Sequence, residues 1–188
     1  SSIEPNLQNI PVRDDIGKEI RKAFIPENDY IVGADYSQIE LRVLAHMADV
    51  PALKQAFIDG KDIHAKTASD IFHVPENLVT SNMRRVAKAV NFGIIYGISS
   101  FGLGENIGMR AVDAKKFIDT YLETYPGIKE YMDESIKHAK EKGYVKTMFN
   151  RKRNIPELNN TVYTIRQSGE RIALNTPIQG TAADIIKL

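Results

Sequence analysis

The chain has 188 residues, of which 43% are hydrophobic and 26% are charged, as is ordinary for a globular protein large enough to bury a real core. It contains no cysteine, which excludes disulfides and thiolate metal sites, so any metal ion must be held by oxygen or histidine ligands. No apolar run approaches the roughly 20 residues of a membrane span, and the N-terminal residues do not form a secretory signal.

The formal net charge of +1 gives no overall electrostatic case for a nucleic-acid partner. The charge is unevenly distributed, because residues 137–153 hold seven Lys or Arg and one acid, whereas residues 1–35 hold four bases and seven acids. A local cationic surface is therefore expected around residues 137–153.

The start of the chain is predicted to pass from loops through a strand into a helix. Residues 1–29 are loop-rich, and within them KEIRKAF (18–24) is predicted to form a strand or a short turn. YIVGAD (30–35) has the pattern of a short buried strand that ends on Asp35. From Gln38 onward, apolar residues recur at helical spacing, which predicts a helix with a wide buried face.

Boundary signals place the remaining elements. Three helices are predicted next. The first begins at Pro51 and ends at a Gly60 cap, the second has Asp62 as its N-cap, and the third has Thr80 or Ser81 as its N-cap. A glycine-rich loop (99–108), helices at 112–125 and 127–142, a basic hairpin, and two helices separated by Pro177 follow. The predicted fold class is α+β and predominantly α-helical.

Four cationic and aromatic residues recur every four positions in RRVAKAVNFGIIYG (84–97), namely Arg84, Lys88, Phe92 and Tyr96. On a helix they form one slowly drifting stripe about 18 Å long, with cations at one end and rings at the other. A nucleoside triphosphate has the same polarity. Taken alone, the pattern is more typical of core aromatics beside a solvated edge. Gly93 and Gly97 beside the rings favour close approach of another group, or a helix end.

Two further residues have candidate roles beside ordinary structural ones. Asp35, at the end of the predicted strand, could hold a hard cation such as Mg²⁺ or could be the N-cap of the following helix. His64 could donate to phosphate as a neutral or cationic ring, or could be structural. Arg84 and Lys88 lie in the first two turns of their helix, where the helix dipole adds to their attraction for an anion.

A polar stripe near the C-terminus consists of Arg171, Asn175 and Gln179, four residues apart each time. It is either an exposed polar face or a set of donors for the minor groove of nucleic acid, whose acceptors are nearly independent of sequence. In the second case Lys146, Arg151, Lys152 and Arg153 would contact the phosphate backbone.

Several long motifs resemble family A DNA polymerases of the bacterial DNA polymerase I type. They are PNLQNIPVR (5–13), DYSQIELRVLAH (35–46), DIHAKTASDIF (62–72), RRVAKAVNFGIIYG (84–97) and NTPIQGTAADIIK (175–187). The motifs are collinear and cover essentially the whole chain, so the likeness is far more specific than any single spacing.

The resemblance implies the fingers subdomain, with part of the palm, of a right-hand polymerase fold truncated at both ends. Residues 1–40 would be a palm piece and residues 41–170 the fingers, including a nucleotide-binding helix at 82–97. Residues 171–188 would begin the return to the palm.

The resemblance also implies roles for individual residues. Asp35 would be a catalytic carboxylate that binds two Mg²⁺ ions, with the Tyr36 backbone carbonyl as a further ligand, and Lys88 would neutralise or protonate the leaving group. The nucleotide-binding residues would be Gln38, Ile39, Glu40, His64, Arg84, Lys88, Phe92 and Tyr96, with Glu40 excluding a ribose 2′-hydroxyl. The DNA-binding residues would be Arg13, Arg171, Asn175 and Gln179.

The implied function is template-directed DNA synthesis in replication and repair, by two-metal transfer of dNTPs to a primer 3′ end. The expected partners are primer-template DNA and dNTP, with no membrane, in a monomeric protein of the cytoplasm and nucleoid. The family's second catalytic aspartate, in a His-Asp-Glu motif, has no counterpart here, so the 188-residue chain alone is expected to be inactive. The alternatives are a non-catalytic nucleic-acid-binding relative of the same fold and an RNA polymerase of similar fold, which Glu40 disfavours.

Overall fold

The computed structural model of the chain describes residue 10, residues 15–30, residue 32 and residues 34–188. The chain forms two compact units, residues 1–37 and residues 38–188. None of the helices within the described ranges is long and apolar enough to cross a membrane.

The first unit contains helix α1 (Asp15–Lys22), so the strand or turn predicted for KEIRKAF is wrong. The charges of the segment explain the helix. Asp15 lies in its first turn and Arg21 and Lys22 in its last, where each sign is favoured by the helix dipole. Lys18 pairs with Asp15 at 2.9 Å across one turn.

The buried strand predicted at residues 30–35 is not formed by the members that the structure describes. Tyr30 is 83% exposed and Val32 is 89% exposed, and neither these residues nor Ala34 and Asp35 belong to a strand. A strand needs a neighbour to pair its backbone groups. The strands in the described part of the chain pair only with each other, which leaves none for this segment.

The second unit is mainly helical. Its helices are α2 (Ile39–Met47), α3 (Pro51–Ile58), α4 (Ile63–Phe72), α5 (Ser81–Ile95), α6 (Ser100–Ile107), α7 (Ala111–Thr124), α8 (Pro126–Lys142) and α9 (Tyr163–Ile186). Strands β1 (Tyr144–Lys146) and β2 (Lys152–Asn154) form an antiparallel hairpin, and short 3-10 turns span Glu76–Leu78 and Pro156–Asn159. The predicted fold class and the predicted hairpin are confirmed.

The predicted helix starts follow local capping chemistry. Pro51 and Pro126 are the first residues of α3 and α8. The Asp62 carboxylate accepts hydrogen bonds from the backbone N–H groups of His64 and Ala65 at the start of α4. Thr80 Oγ1 accepts from the N–H of Met83 at the start of α5. The predicted boundaries at Pro51, Asp62 and Thr80 are confirmed, and α8 begins at Pro126, one residue before the predicted 127.

Helix α6 replaces the loop that was predicted for residues 99–108. Ser99 caps it by accepting from Gly102 N–H at 3.1 Å. A Cβ at Gly104 would lie 2.6 Å from the carbonyl oxygen of Met109, so this glycine allows close packing inside a helix. The predicted loop is wrong because glycines occur both in flexible loops and at close contacts between packed helices, and the sequence does not distinguish the two.

Helix α9 runs through Pro177, so the predicted split into two helices is wrong. Proline removes one intrahelical hydrogen bond and crowds the preceding turn, which usually breaks a helix. Here Leu174 and Ile178 are buried on either side of the proline, and their packing holds the helix together. As a result, Arg171, Asn175 and Gln179 share one continuous helix.

The main core of the second unit lies where α2, α4, α5 and α7 meet, and it buries one face of α5. The buried α5 residues are Val86, Ala87, Val90, Asn91, Gly93, Ile94 and Ile95. A second, smaller core, which includes Val145, Ile155 and Ala173, packs the hairpin against α9. Thus α5 turns its other face outward, and that face carries the predicted stripe.

Candidate nucleotide-binding site

The stripe on α5 lies outside the core. Arg84, Lys88 and Tyr96 are exposed and Phe92 is half-buried, so the interpretation of the rings as core aromatics is wrong. The helix itself ends at Ile95, slightly earlier than the predicted 82–97, and Tyr96 is its C-cap residue. The two cations, the Tyr96 ring and part of the Phe92 ring are therefore accessible to a ligand along about three turns of helix.

The end of α5 is shaped by two glycines. Gly97 has φ of +60°, and the N–H groups of Gly97 and Ile98 donate to the carbonyls of Ile94 and Gly93 at 3.1 and 2.8 Å. This is the Schellman arrangement, which glycine favours because it needs a left-handed residue. A Cβ at Gly93 would lie 2.4 Å from Ile98 Cγ2. Both predicted reasons for the glycines, close approach and a helix end, are confirmed.

Tyr96 connects three helices. Its hydroxyl donates to Glu40 Oε2 at 2.9 Å, which joins the end of α5 to the start of α2. Burial raises the pKa of Tyr96, the bond to Glu40 raises it further, and Gln179 on α9 acts in the opposite direction. The hydroxyl therefore stays protonated and keeps donating to the carboxylate.

At the cationic end of the stripe, Asp62 holds Arg84. Arg84 Nε donates to Asp62 Oδ2 at 2.7 Å, while Oδ1 of the same carboxylate caps α4. Partial burial raises the pKa of Asp62, but the bond from Arg84 and two backbone N–H bonds outweigh it, so the pKa lies below its usual value. Lys88 Nζ lies 5.9 Å from the centroid of the Phe92 ring, so this cation adjoins the aromatic end of the stripe.

His64 is a buried, neutral histidine between the cations and the rings. It is 3% exposed, and its ring centroid lies 5.8 Å from that of Phe92. The pKa of His64 is lowered from 6.5 to about 4, mainly by burial; Asp62 opposes the shift, while Arg84 and Lys88 add to it. Of the two protonation states left open by the sequence, the neutral ring is the one present at neutral pH.

The polar stripe on α9 lies beside the end of α5. A Cβ at Gly97 would lie 3.2 Å from Arg171 Cγ, so the absence of a side chain there lets α9 approach. Asn175 Oδ1 is buried and has no hydrogen-bond partner within the described part of the chain. An unpaired buried amide oxygen is costly, which makes Asn175 a candidate acceptor for a ligand.

The cations of the hairpin are partly used to hold it on α9. Arg151 donates to Asp184 Oδ1 at 2.8 Å and to the Gly180 carbonyl at 2.9 Å, and Arg153 donates to Thr176 Oγ1 at 3.2 Å. Lys152 Nζ lies 3.9 Å from the centroid of the Tyr144 ring. These contacts reduce the charge that the hairpin can offer to a phosphate backbone.

The predicted metal ligands lie in the first unit. Asp35 and Tyr36 are exposed, and Arg13 lies outside the described residues. The N-cap of α2 is Gln38, with φ of 55°, so the alternative role of Asp35 as a helix cap is wrong. Ile39 is the first residue of α2.

In the ranges that the structure describes, no three His, Asp or Glu side chains are grouped to hold a metal ion. A single carboxylate supplies only part of the oxygen shell that Mg²⁺ requires.

The sequence interpretation missed Asn91 and Thr67, which are fully buried beside His64. One signal was present. Asn91 is the only polar side chain on the otherwise apolar buried face of α5, and a buried amide needs partners.

Together these features define a helical domain whose exposed face suits a ligand with an anionic end and a ring-bearing end. The chain belongs to DNA polymerase family A, because the family model matches residues 1–188. The resemblance drawn from the motifs is therefore confirmed.

Three bacterial DNA polymerase I proteins are similar in sequence to this chain. DNA polymerase I of Bacillus subtilis is 57% identical over 189 residues and that of Geobacillus stearothermophilus is 56% identical over 189 residues. Each alignment covers 100% of this chain and 22% of the relative. DNA polymerase I of Deinococcus radiodurans is 49% identical, with 100% of this chain and 20% of the relative covered. The chain thus spans about a fifth of the length of these curated relatives.

A similar solved structure is the POL domain of Pol1 from M. smegmatis in complex with DNA primer-template and dNTP. It is 42% identical, has a TM-score of 0.87, and is matched over 100% of this chain and 33% of its own. The chain therefore has the fold of part of a family A polymerase domain.

Proposed function

We propose that the protein containing this chain is a DNA-directed DNA polymerase that adds dNTPs to a primer 3′ end in replication and repair. The observation that carries this proposal is the single face on which Arg84, Lys88, Phe92 and Tyr96 follow one another, with Tyr96 bonded to Glu40. The names of the relatives and the primer-template and dNTP held by the M. smegmatis domain support it.

The cationic end of this face is proposed to bind the triphosphate. The bond from Arg84 Nε to Asp62 leaves the two terminal guanidinium nitrogens for phosphate oxygens. Lys88 would add a point charge that neutralises or protonates the leaving group. His64, being neutral, would donate a hydrogen bond without adding charge.

The aromatic end is proposed to contact the sugar and base. Phe92 and Tyr96 stack nearly parallel, with centroids 6.5 Å apart. Glu40, held by its hydrogen bond from Tyr96, would clash with a ribose 2′-hydroxyl. Gln38 is the N-cap and Ile39 the first residue of the same helix, α2. This arrangement would favour deoxynucleotides, as a DNA polymerase requires.

Helix α9 is proposed to contact the primer-template together with Arg13. Arg171 and Gln179 offer donors for the acceptors of the minor groove. The unpaired Asn175 Oδ1 can accept from the amino group of guanine, which is the only base donor in that groove.

Asp35 and the Tyr36 carbonyl are proposed as ligands of the two Mg²⁺ ions expected in the complete enzyme. Such ions would supply Lewis-acid stabilisation of charge at the transferred phosphoryl group. Because the predicted ligands amount to one carboxylate and one carbonyl, we expect the isolated 188-residue chain not to extend primers. The assignments of palm (1–40 and 171–188) and fingers (41–170), the monomeric state and the nucleoid location stay predictions.

Primer extension by the full-length protein tests the proposal. Asp35→Asn should abolish dNTP incorporation and leave binding of primer-template unchanged. Asp119→Asn is a matched control, since Asp119 is a half-exposed carboxylate paired with Lys115 on α7. A wild-type protein that binds DNA but incorporates no dNTP would instead identify the non-catalytic binding relative.

A further inference from the structure

Three polar side chains are buried together between α4 and α5. His64 is 3% exposed, and Thr67 and Asn91 are 0% exposed. Asn91 Nδ2 lies 3.2 Å from His64 Nδ1 and 3.1 Å from Thr67 Oγ1, and Thr67 Oγ1 lies 3.4 Å from Asn91 Oδ1. A buried polar cluster inside an apolar interface is retained only if its members satisfy one another.

The orientation of the Asn91 amide, with its nitrogen toward His64, implies which ring nitrogen carries the proton. The Asn91 amide nitrogen carries two hydrogens, one directed to Thr67 Oγ1 and the other to His64 Nδ1. A ring nitrogen that faces an N–H donor must accept, so Nδ1 carries no proton. The proton of the neutral ring then lies on Nε2, across the ring from Asn91.

We propose that Asn91, oriented by Thr67, is a positioning residue that holds His64 as the neutral tautomer with its Nε2–H available to the triphosphate. This inference rests on the proposed function for the use of that N–H, but not for the tautomer itself. In this role Asn91 does not contact the nucleotide and acts only through His64.

The charges around His64 affect which protonation state of its ring is stable. Burial disfavours a positive charge on His64, and the nearby Arg84 and Lys88 disfavour it further, whereas Asp62 acts in the opposite direction. A protonated ring would also turn an Nδ1–H toward the Asn91 amide hydrogens and lose that bond. Without Asn91 the ring could rotate, exchange tautomers and take up a proton, so its donor would no longer be held in one position.

The tautomer is tested first, without reference to activity. ¹⁵N spectra of the full-length protein with labelled histidine, with the His64 signals identified by their loss in His64→Gln, should show an unprotonated Nδ1 and a protonated Nε2 at pH 7. A protonated Nδ1 would overturn the proposal, whether or not the protein extends primers.

The positioning role is tested by single-nucleotide incorporation with Asn91→Leu, His64→Ala and the double variant. Asn91→Leu should lower kcat/KM for dNTP about tenfold, as expected for one buried hydrogen bond, and should cause no further loss in the His64→Ala background. Equal losses in both backgrounds would mean a merely structural role and overturn the proposal. Asn106→Leu is the control, because Asn106 is an exposed asparagine on α6, outside the proposed nucleotide-binding face.

A second variant covers the case in which Asn91→Leu does not fold. Asn91→Asp keeps the size of the side chain but places an acceptor beside Nδ1, which favours a protonated ring. The pH profile of kcat/KM should then gain an ionisation at higher pH that is absent from the wild-type protein and from Asn91→Asp/His64→Ala. An unchanged profile would count against the role of Asn91.

Discussion

The hydroxyl of Tyr96 donates a hydrogen bond of 2.9 Å to Glu40 Oε2, across 56 residues of sequence. The bond ties the end of the cation-and-ring stripe on α5 to the start of α2. Because the pKa of Tyr96 is raised, the donor persists throughout the physiological pH range. The ring that would meet the base and the carboxylate that would meet the sugar are thus held as one unit.

Tyr96→Phe should weaken discrimination between dNTP and rNTP. The ring remains, but Glu40 loses the bond that holds it, and the loss of one such bond corresponds to about fivefold in the ratio of kcat/KM values. Single-nucleotide incorporation measures the ratio. Tyr163→Phe, which alters an exposed tyrosine at the start of α9, is the control. If Tyr96→Phe leaves the ratio unchanged while Glu40→Ala lowers it, the hydrogen bond is not what holds the carboxylate.

Asp62→Asn should separate the two roles of Asp62. Asparagine caps helices as well as aspartate, so α4 should keep its stability, but the ion pair with Arg84 is lost. We expect KM for dNTP to rise with little change in the thermal midpoint. Asp62→Ala should raise KM as well and also cost about 1 kcal/mol through the lost cap. A normal KM in both variants would show that Arg84 does not depend on Asp62.

His64 should titrate with a midpoint of about 4, because the folded chain prefers its neutral form. The unfolded chain binds this proton more readily, so His64 contributes stability that is present above pH 6.5 and is lost as the pH falls through about 4. The imidazole signals that vanish in His64→Gln report the midpoint in an NMR titration. A midpoint at or above 6.5 would contradict the buried, neutral ring.

Gly93→Ala should destabilise the protein despite the better helix propensity of alanine. The gain of about 1 kcal/mol in propensity is outweighed by an overpacking penalty of typically 1–3 kcal/mol, because the new Cβ would meet Ile98 Cγ2 at 2.4 Å. Thermal unfolding measures the change. The loss should shrink when Ile98→Ala removes the clashing methyl group, and an equal loss in both backgrounds would place its cause elsewhere.

The sequence predicted those parts of the fold that are encoded locally. Pro51, Asp62 and Thr80 mark helix starts through capping and proline geometry, and these three predictions hold. The errors occur where packing between distant segments overrides a local signal. Gly104 in α6 and Pro177 in α9 are both accommodated by contacts that spacing does not reveal.

The same distinction applies to the candidate site. The stripe from Arg84 to Tyr96 could be predicted because it lies on one helix. The contacts of Asn91 with His64 and of Tyr96 with Glu40 join residues 27 and 56 positions apart. Helical periodicity in the sequence does not relate residues so far apart. These contacts become visible only when α5 is seen packed against α4 and α2.

Binding of the incoming nucleotide by the outer face of α5 can be tested by substituting Lys88. Rapid-mixing measurements of single-nucleotide incorporation would compare the full-length wild-type protein, Lys88→Ala and Lys129→Ala, an exposed lysine on α8. We expect Lys88→Ala to lower kcat/KM for dNTP by about 100-fold or more, with unchanged affinity for primer-template, because charge at the leaving group is then left uncompensated. Lys129→Ala should match the wild type. Equal incorporation by all three proteins would show that Lys88 on α5 does not act on the incoming nucleotide.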